Sequence, residues 1–168
     1  MFRFQCSQCE AWHEELPRIG FAMPDNLRNI PAGLRDGRAW WSDDVCVIDN
    51  RQFYARARLE IPVSGSGEPF VWDMWVSLSE KSFYDYLGAV DRGRAGGPYF
   101  SWLANVLPGY PTPIGLKSQM RPQASGTKPM IVLERSRHPL SVDFHEGMPQ
   151  QRAEALCEFA QHRAILPH

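Results

Sequence analysis

The sequence lacks both an excess of charge of one sign and any long hydrophobic run. Its 168 residues carry 18 basic and 19 acidic side chains, which gives a net charge of −1. Binding to nucleic acid or to a membrane surface needs a basic excess that attracts phosphate, so we expect neither partner. No stretch of about 18 apolar residues occurs, so no membrane-spanning helix is predicted.

Targeting signals and common catalytic motifs are also missing. The first residues lack the charged and then apolar layout of a secretory signal peptide, so we expect a cytoplasmic protein. Only 4 cysteines are present, and in a reducing compartment paired cysteines more often bind metal or do redox work than form disulfides. No Walker-type phosphate loop, dinucleotide-binding glycine motif or serine-nucleophile motif occurs.

What the sequence does contain favours a sheet with many turns. There are 14 prolines and 13 glycines, which interrupt the chain often. Apolar and polar residues alternate over 53–61 and again over 70–78, on either side of a Ser-Gly-Ser-Gly turn. This pattern predicts an antiparallel hairpin with one buried face.

The overall pattern predicts an α+β fold with a mostly antiparallel sheet of about five to seven strands. Two main helices are expected, at 83–90 and 153–160, where apolar residues recur at helical spacing. A chain of this length forms one domain, so we expect a single domain over 1–168. Residues 1–16 are expected to form a zinc-knuckle-like segment packed on it.

Cys6, Cys9 and His13 form the sharpest motif in the chain. Two residues between the cysteines allow both sulfurs to reach one ion from a tight turn, and a histidine four residues later can reach back as a third ligand. A redox role would place the cysteines between a strand and a helix, but no helical pattern follows before Pro17. One structural zinc ion is therefore the expected cofactor.

A tetrahedral zinc site needs a fourth ligand. Cys46 is the first choice, and His138 and His145 are the alternatives. Cys46 lies between two valines, so the competing interpretation is that it is a small buried hydrophobic residue. Cys157 falls in an apolar helical stripe and is expected in the core.

Two further groups of polar residues have both a functional and a structural interpretation. Asp43, Asp44 and Asp49 flank a predicted strand and could act as paired acids, although aspartate is also typical of turns. Arg56 and Arg58 share one face of a predicted strand and could bind an anion, or could be solvated or paired with acids. The sequence names no catalytic residue.

The chain is rich in tryptophan, and its six indole rings are too many for all of them to be buried with satisfied N–H groups. Some are expected to line a groove or an interface; the alternative is that loops cover both faces of the sheet. They are Trp12, Trp40, Trp41, Trp72, Trp75 and Trp102.

Three functional hypotheses follow, and the number of zinc ligands separates the first two. Four protein ligands indicate a zinc-stabilised binding module with a protein or small-molecule partner. Three ligands and a bound water indicate a zinc-dependent hydrolase-type enzyme, with Asp43, Asp44 or His138 beside an open cleft. The third hypothesis is a metal-free regulatory or immunity-like protein that docks a partner through exposed aromatic residues.

Several short segments along the chain belong together as a pattern; they are residues 4–9, His13, 16–17, 42–46, 59–62, 72–76, 103–105, 107–111, 138–140 and 146–147. Together these segments resemble DUF2199, a bacterial family without an assigned activity. The resemblance implies that the CxxC motif, the nearby histidine and the position of Cys46 belong to one site. Two residues depart from the family pattern: Glu10, where a glycine commonly follows such a knuckle, and Asp73, where a small residue is expected. His145 is peculiar to this sequence.

Overall fold

The computed structural model describes residues 2–124 and 126–162, which contain ten strands and five helices. The strands are β1 (Phe4–Gln5), β2 (Trp12–His13), β3 (Arg18–Gly20), β4 (Ala39–Trp41), β5 (Val45–Ile48), β6 (Gln52–Ile61), β7 (Phe70–Leu78), β8 (Tyr99–Leu103), β9 (Lys117–Arg121) and β10 (Met130–Leu133). The helices are α1 (Asp25–Arg28), α2 (Ala32–Arg38), α3 (Glu80–Asp91), α4 (Pro139–Glu146) and α5 (Gln150–His162).

The long hairpin of β6 and β7 is the centre of the fold. Nine residue pairs join its strands, from Phe53 opposite Leu78 to Ile61 opposite Phe70. The alternating pattern places the apolar side chains of both strands on one face, where Leu59 and Trp72 are completely buried. The hairpin predicted from the sequence is therefore confirmed.

Five strands, β6 to β10, close into a small barrel. Strands β7, β8, β9 and β10 pair successively as antiparallel neighbours. Strand β10 then returns to β6 in parallel, with Met130 beside Arg58, and the N–H of Arg58 donates to the carbonyl of Pro129 over 2.8 Å. The sheet is mostly antiparallel, as expected, but no pattern in the sequence indicated that it closes.

Strands β3, β4 and β5 extend this sheet to eight strands, more than the five to seven expected, and β1 and β2 form a separate two-stranded sheet. Strand β3 runs parallel to the first half of β7, and β5 and β4 extend the sheet beyond the first half of β6. The segment after β3 covers part of the outer face of β7, where Trp75 Nε1 donates to the carbonyl of Phe21. As a result Trp75, which points away from the barrel interior, is also completely buried.

The expectation of two main helices is only partly correct, because the described chain has five. The two longest, α3 and α5, coincide with the predicted helices, and Ser79 caps α3 by accepting the N–H of Ser82. Helix α4 begins at Pro139, directly after its N-cap residue His138. It is only eight residues long, which is too short to produce a clear periodic pattern. Within the described part of the chain, no helix is long and apolar enough to cross a membrane.

Candidate metal centre

A tight turn at the N-terminus brings the predicted ligands together. Strands β1 and β2 pair as an antiparallel hairpin. In the turn between them, the N–H of Glu10 donates to the carbonyl of Cys6 over 3.0 Å. The N–H of Cys6 donates to the carbonyl of Ala11 over 2.9 Å. Glu10 has a φ of 58°, a left-handed conformation that glycine adopts at lower cost. The turn places Cys6 and Cys9 next to His13.

Four ligand atoms, two sulfurs and two imidazole nitrogens, lie within 4.8 Å of one another; they belong to Cys6, Cys9, His13 and His162. Cys9 Sγ is 3.5 Å from His13 Nε2, and Cys6 Sγ is 3.0 Å from His162 Nε2. In a tetrahedral zinc site with bonds of about 2.0–2.3 Å, neighbouring ligand atoms are about 3.3–3.8 Å apart. The group is therefore compact enough to hold one metal ion after small side-chain adjustments.

Cys6 has the properties of a metal-binding thiolate. Burial raises the pKa of its thiol, but hydrogen bonds from the backbone N–H groups of Cys9 and Gln8 and from the side chain of His162 outweigh burial and lower the pKa to about 6. The thiolate is the form that binds a metal. A cysteine that is already deprotonated near neutral pH binds zinc with little competition from protons.

Helix α5 brings His162 to the hairpin. One face of this helix packs into the hydrophobic core. One turn before His162, Glu158 accepts hydrogen bonds from the backbone N–H of Ser7 over 2.6 Å and from its hydroxyl over 2.9 Å. These bonds, with the nearby His162, lower the pKa of Glu158. The hydrogen bonds attach α5 to the CxxC turn and so hold the fourth ligand close to the other three.

His162 was missed by sequence reasoning. It lies 156 residues from its neighbour Cys6 in the chain, and no local spacing relates the two. A weak local signal exists in Glu158 and His162, which are one helical turn apart and therefore on the same side of α5. These two residues indicate a site only when α5 is known to pack against the CxxC turn.

Cys46, the expected fourth ligand, is not part of this group. It lies in β5 opposite Tyr54, and its side chain is completely buried in the core. Burial raises the pKa of its thiol to about 12, which disfavours the thiolate form needed for metal binding. The structure thus favours the interpretation of Cys46 as a buried hydrophobic residue.

The two alternative histidine ligands are also engaged elsewhere. His138 caps α4 by accepting the N–H of Leu140, and its other ring nitrogen is 3.1 Å from the carbonyl of Pro111. His145 Nε2 is 2.8 Å from the carbonyl of Leu133. Both rings therefore serve local structure.

The aspartates considered as paired acids lie in turns. Asp49 has a φ of 51° and forms an ion pair with Arg38 over 2.6 Å. The backbone N–H of Asp44 donates to the hydroxyl of Ser42 over 3.2 Å, which fixes the turn before β5. These contacts favour the structural interpretation of the acids.

The tryptophans divide into buried and exposed rings. Trp72 and Trp75 are completely buried, whereas Trp12 and Trp40 are more than half exposed. Trp40 borders an open groove of about 410 Å³ that lies among α2, β4, β5 and α3. Trp40 thus borders a groove, as expected for some of the rings, whereas Trp72 and Trp75 lie in the core.

Comparison with known proteins identifies one family. The model of DUF2199, described as an uncharacterized protein conserved in bacteria, matches residues 5–148. The match includes the CxxC turn and His13 but ends before α5 and His162. No curated protein and no solved structure matches the chain.

Proposed function

The chain belongs to the DUF2199 family of uncharacterised bacterial proteins, and we propose that it is a cytoplasmic binding module stabilised by one structural zinc ion. The observation that carries this proposal is the group formed by Cys6, Cys9, His13 and His162, whose ligand atoms lie within 4.8 Å of one another. Two thiolates and two imidazoles are a donor set typical of structural zinc sites.

The position of the group supports a structural role. Three ligands come from the first hairpin and the fourth from the end of α5, so a bound ion would join two segments that are far apart in sequence. The unfolded chain does not hold these ligands together. Metal binding therefore adds directly to the free energy of folding.

The ligand count favours this role over that of a hydrolase-type enzyme. A catalytic zinc ion keeps one position open for water and has three protein ligands, whereas four side chains converge here. Of the groups named for an enzyme, Asp43, Asp44 and His138, the last two are engaged in a turn and a helix cap. The proposal includes binding of a partner by this module, and the partner is either a protein or a small molecule.

Thermal unfolding with and without a chelator tests the structural role. Zinc at about a hundred times its Kd contributes about 2.7 kcal/mol, so removing it should lower Tm by roughly 5–11 °C for a chain of this size. Cys9→Ser should melt at the lower temperature and should not respond to the chelator.

Cys46→Ala provides the matched control, because it removes a cysteine outside the group. Its Tm should fall through loss of core packing, but its response to the chelator should equal that of the zinc-loaded wild type. A wild-type protein that was loaded with zinc and melts identically with chelator would contradict the proposal.

A further inference from the structure

A second group of charged side chains, here called the basic cluster, lies on the outer face of β6 and β7. Residues of β6 that alternate with the barrel-facing positions contribute to it, and Asp73 lies directly opposite Arg58 in the hairpin register. Positive charges outnumber negative charges by two. The basic cluster consists of Arg18, Arg56, Arg58 and Lys128 with the carboxylates of Asp73 and Glu60.

Asp73 attracts three of the cations without forming hydrogen bonds to them. Arg18 Nη2, Arg58 Nε and Lys128 Nζ each lie 3.6 Å from one of its carboxylate oxygens. An N–H···O hydrogen bond is usually about 2.7–3.2 Å long. The Oδ1 atom of Asp73 is buried and has no hydrogen-bond partner among the described residues. The cationic groups around Asp73 therefore lie close together, but their N–H donors do not form hydrogen bonds to its carboxylate.

Arg56 has still fewer partners. Within the part of the chain that the structure describes, Arg56 forms no ion pair, and its buried Nε has no hydrogen-bond acceptor. The Nε of Arg58 also lacks a hydrogen-bond acceptor, although it lies in the ion pair with Asp73. A buried cationic donor without an acceptor lowers stability. Two such donors on neighbouring outward positions of one strand indicate a function that needs them.

Gly20 leaves room for the Arg56 guanidinium. Gly20 is exposed, yet a Cβ atom at this position would lie 3.3 Å from Arg56 Nη2 and 3.8 Å from Asp73 Cβ. A larger side chain would meet the guanidinium. The glycine thus allows Arg56 to extend across β7 to β3, next to Asp73.

We propose that the basic cluster binds a small molecule through an oxyanion, either a phosphate or a carboxylate group, held between Arg56 and Arg58. A guanidinium presents a planar fork of donors that matches such oxygens. The side chains of Arg56 and Arg58 are partly exposed, so their Nη groups can donate to an oxyanion at the surface, while each buried Nε has no competing acceptor among the described residues. Asp73 keeps the surrounding cations in place, and its carboxylate can accept a hydrogen bond from the hydroxyl group of hydrogenphosphate. The proposal is independent of the metal centre, since the two groups share no residue.

A titration with inorganic phosphate, followed by NMR of the arginine Nε–Hε groups, tests the proposal in the intact chain. The signals of Arg56 and Arg58, assigned with Arg→Lys variants, should shift in a saturable way, while chloride at equal ionic strength should not shift them. Acetate in a parallel titration distinguishes the two oxyanions: saturation by acetate alone assigns a carboxylate ligand and supports the site. No saturable shift with either anion would overturn the proposal.

Three variants test whether the cluster itself accounts for binding. Arg56→Met should weaken phosphate binding by about tenfold or more, since it removes a charge-assisted donor, and Arg94→Met, an exposed arginine elsewhere, should not change it. Gly20→Val alters no charge but displaces the guanidinium, so it should also weaken binding even if Arg56→Met folds poorly. Phosphate affinity equal to wild type in folded Arg56→Met or in Gly20→Val would contradict the proposed site.

Discussion

At the scale of single residues, two cysteines illustrate how the environment decides the role of a side chain. Cys6 is buried, but the N–H groups that surround its sulfur and the side chain of His162 lower its pKa to about 6. Cys46 is also buried, without a comparable set of donors, and its pKa is raised to about 12. The first thiol suits metal binding and the second suits the core.

Cysteine alkylation distinguishes these environments. In the metal-free native protein, we expect an alkylating reagent near neutral pH to label the exposed Cys9 and to leave Cys46 and Cys157 unlabelled, because burial raises the pKa of both thiols to about 12. Added zinc should protect Cys9, and a chelator should restore its labelling. Peptide mass spectrometry measures each site, and labelling of Cys46 as rapid as that of Cys9 would contradict the assignment.

Two buried tryptophans differ in whether the indole N–H group has a hydrogen-bond acceptor. Trp75 Nε1 donates to the carbonyl of Phe21 over 2.9 Å. Trp72 Nε1 is buried and lacks an acceptor among the described residues. The indole N–H therefore stabilises the fold at Trp75 but not at Trp72.

The matched substitutions Trp72→Phe and Trp75→Phe measure this difference. Both remove the same atoms from completely buried positions, but only the second leaves a carbonyl without its donor. We expect Trp75→Phe to lower the free energy of unfolding by about 1–3 kcal/mol more than Trp72→Phe. Chemical denaturation gives both values, and an equal or larger loss for Trp72→Phe would show that the orphan N–H is not costly.

At the scale of elements, the N-terminal hairpin and α5 behave as one unit in the proposed site. They are joined by the hydrogen bonds between Ser7 and Glu158 and by the proximity of Cys6 to His162. In the proposed site, a bound metal ion would add a third connection. Loss of the ion should therefore loosen both elements together.

Hydrogen exchange tests this coupling. When a chelator removes the metal, we expect amide exchange to increase both in the β1–β2 hairpin and in the last described turn of α5, while α3 remains unchanged as an internal control. His162→Ala should show the same increase without chelator. Increased exchange in the hairpin alone would mean that α5 does not take part in the site.

Elements with a strong local pattern were predictable, and those defined by distant contacts were not. The β6–β7 hairpin alternates over nine paired positions, and the sequence alone identified it. Helix α4 and strand β3 are short, and their positions depend on the elements they pack against. Local periodicity carries no information about such contacts.

At the scale of the whole molecule, the sequence predicted the fold class but not the barrel. Its closure depends on one bridge between Met130 and Arg58, which are distant in sequence. The candidate metal centre was predictable to the same extent, in its local part only. Cys6, Cys9 and His13 lie within eight residues and were predicted as a set, whereas His162 reaches them only through the packing of α5.

The zinc content per chain of the untagged protein, purified without added metal, is the most direct test of the proposed metal centre. Elemental analysis should find about one zinc per chain in wild type and in Cys46→Ala, and much less in His162→Ala, because a tetrahedral site loses a ligand only in the last case. Zinc retained in His162→Ala but lost in Cys46→Ala would contradict the ligand set. Absence of zinc from the wild type, even after loading, would contradict the metal centre itself.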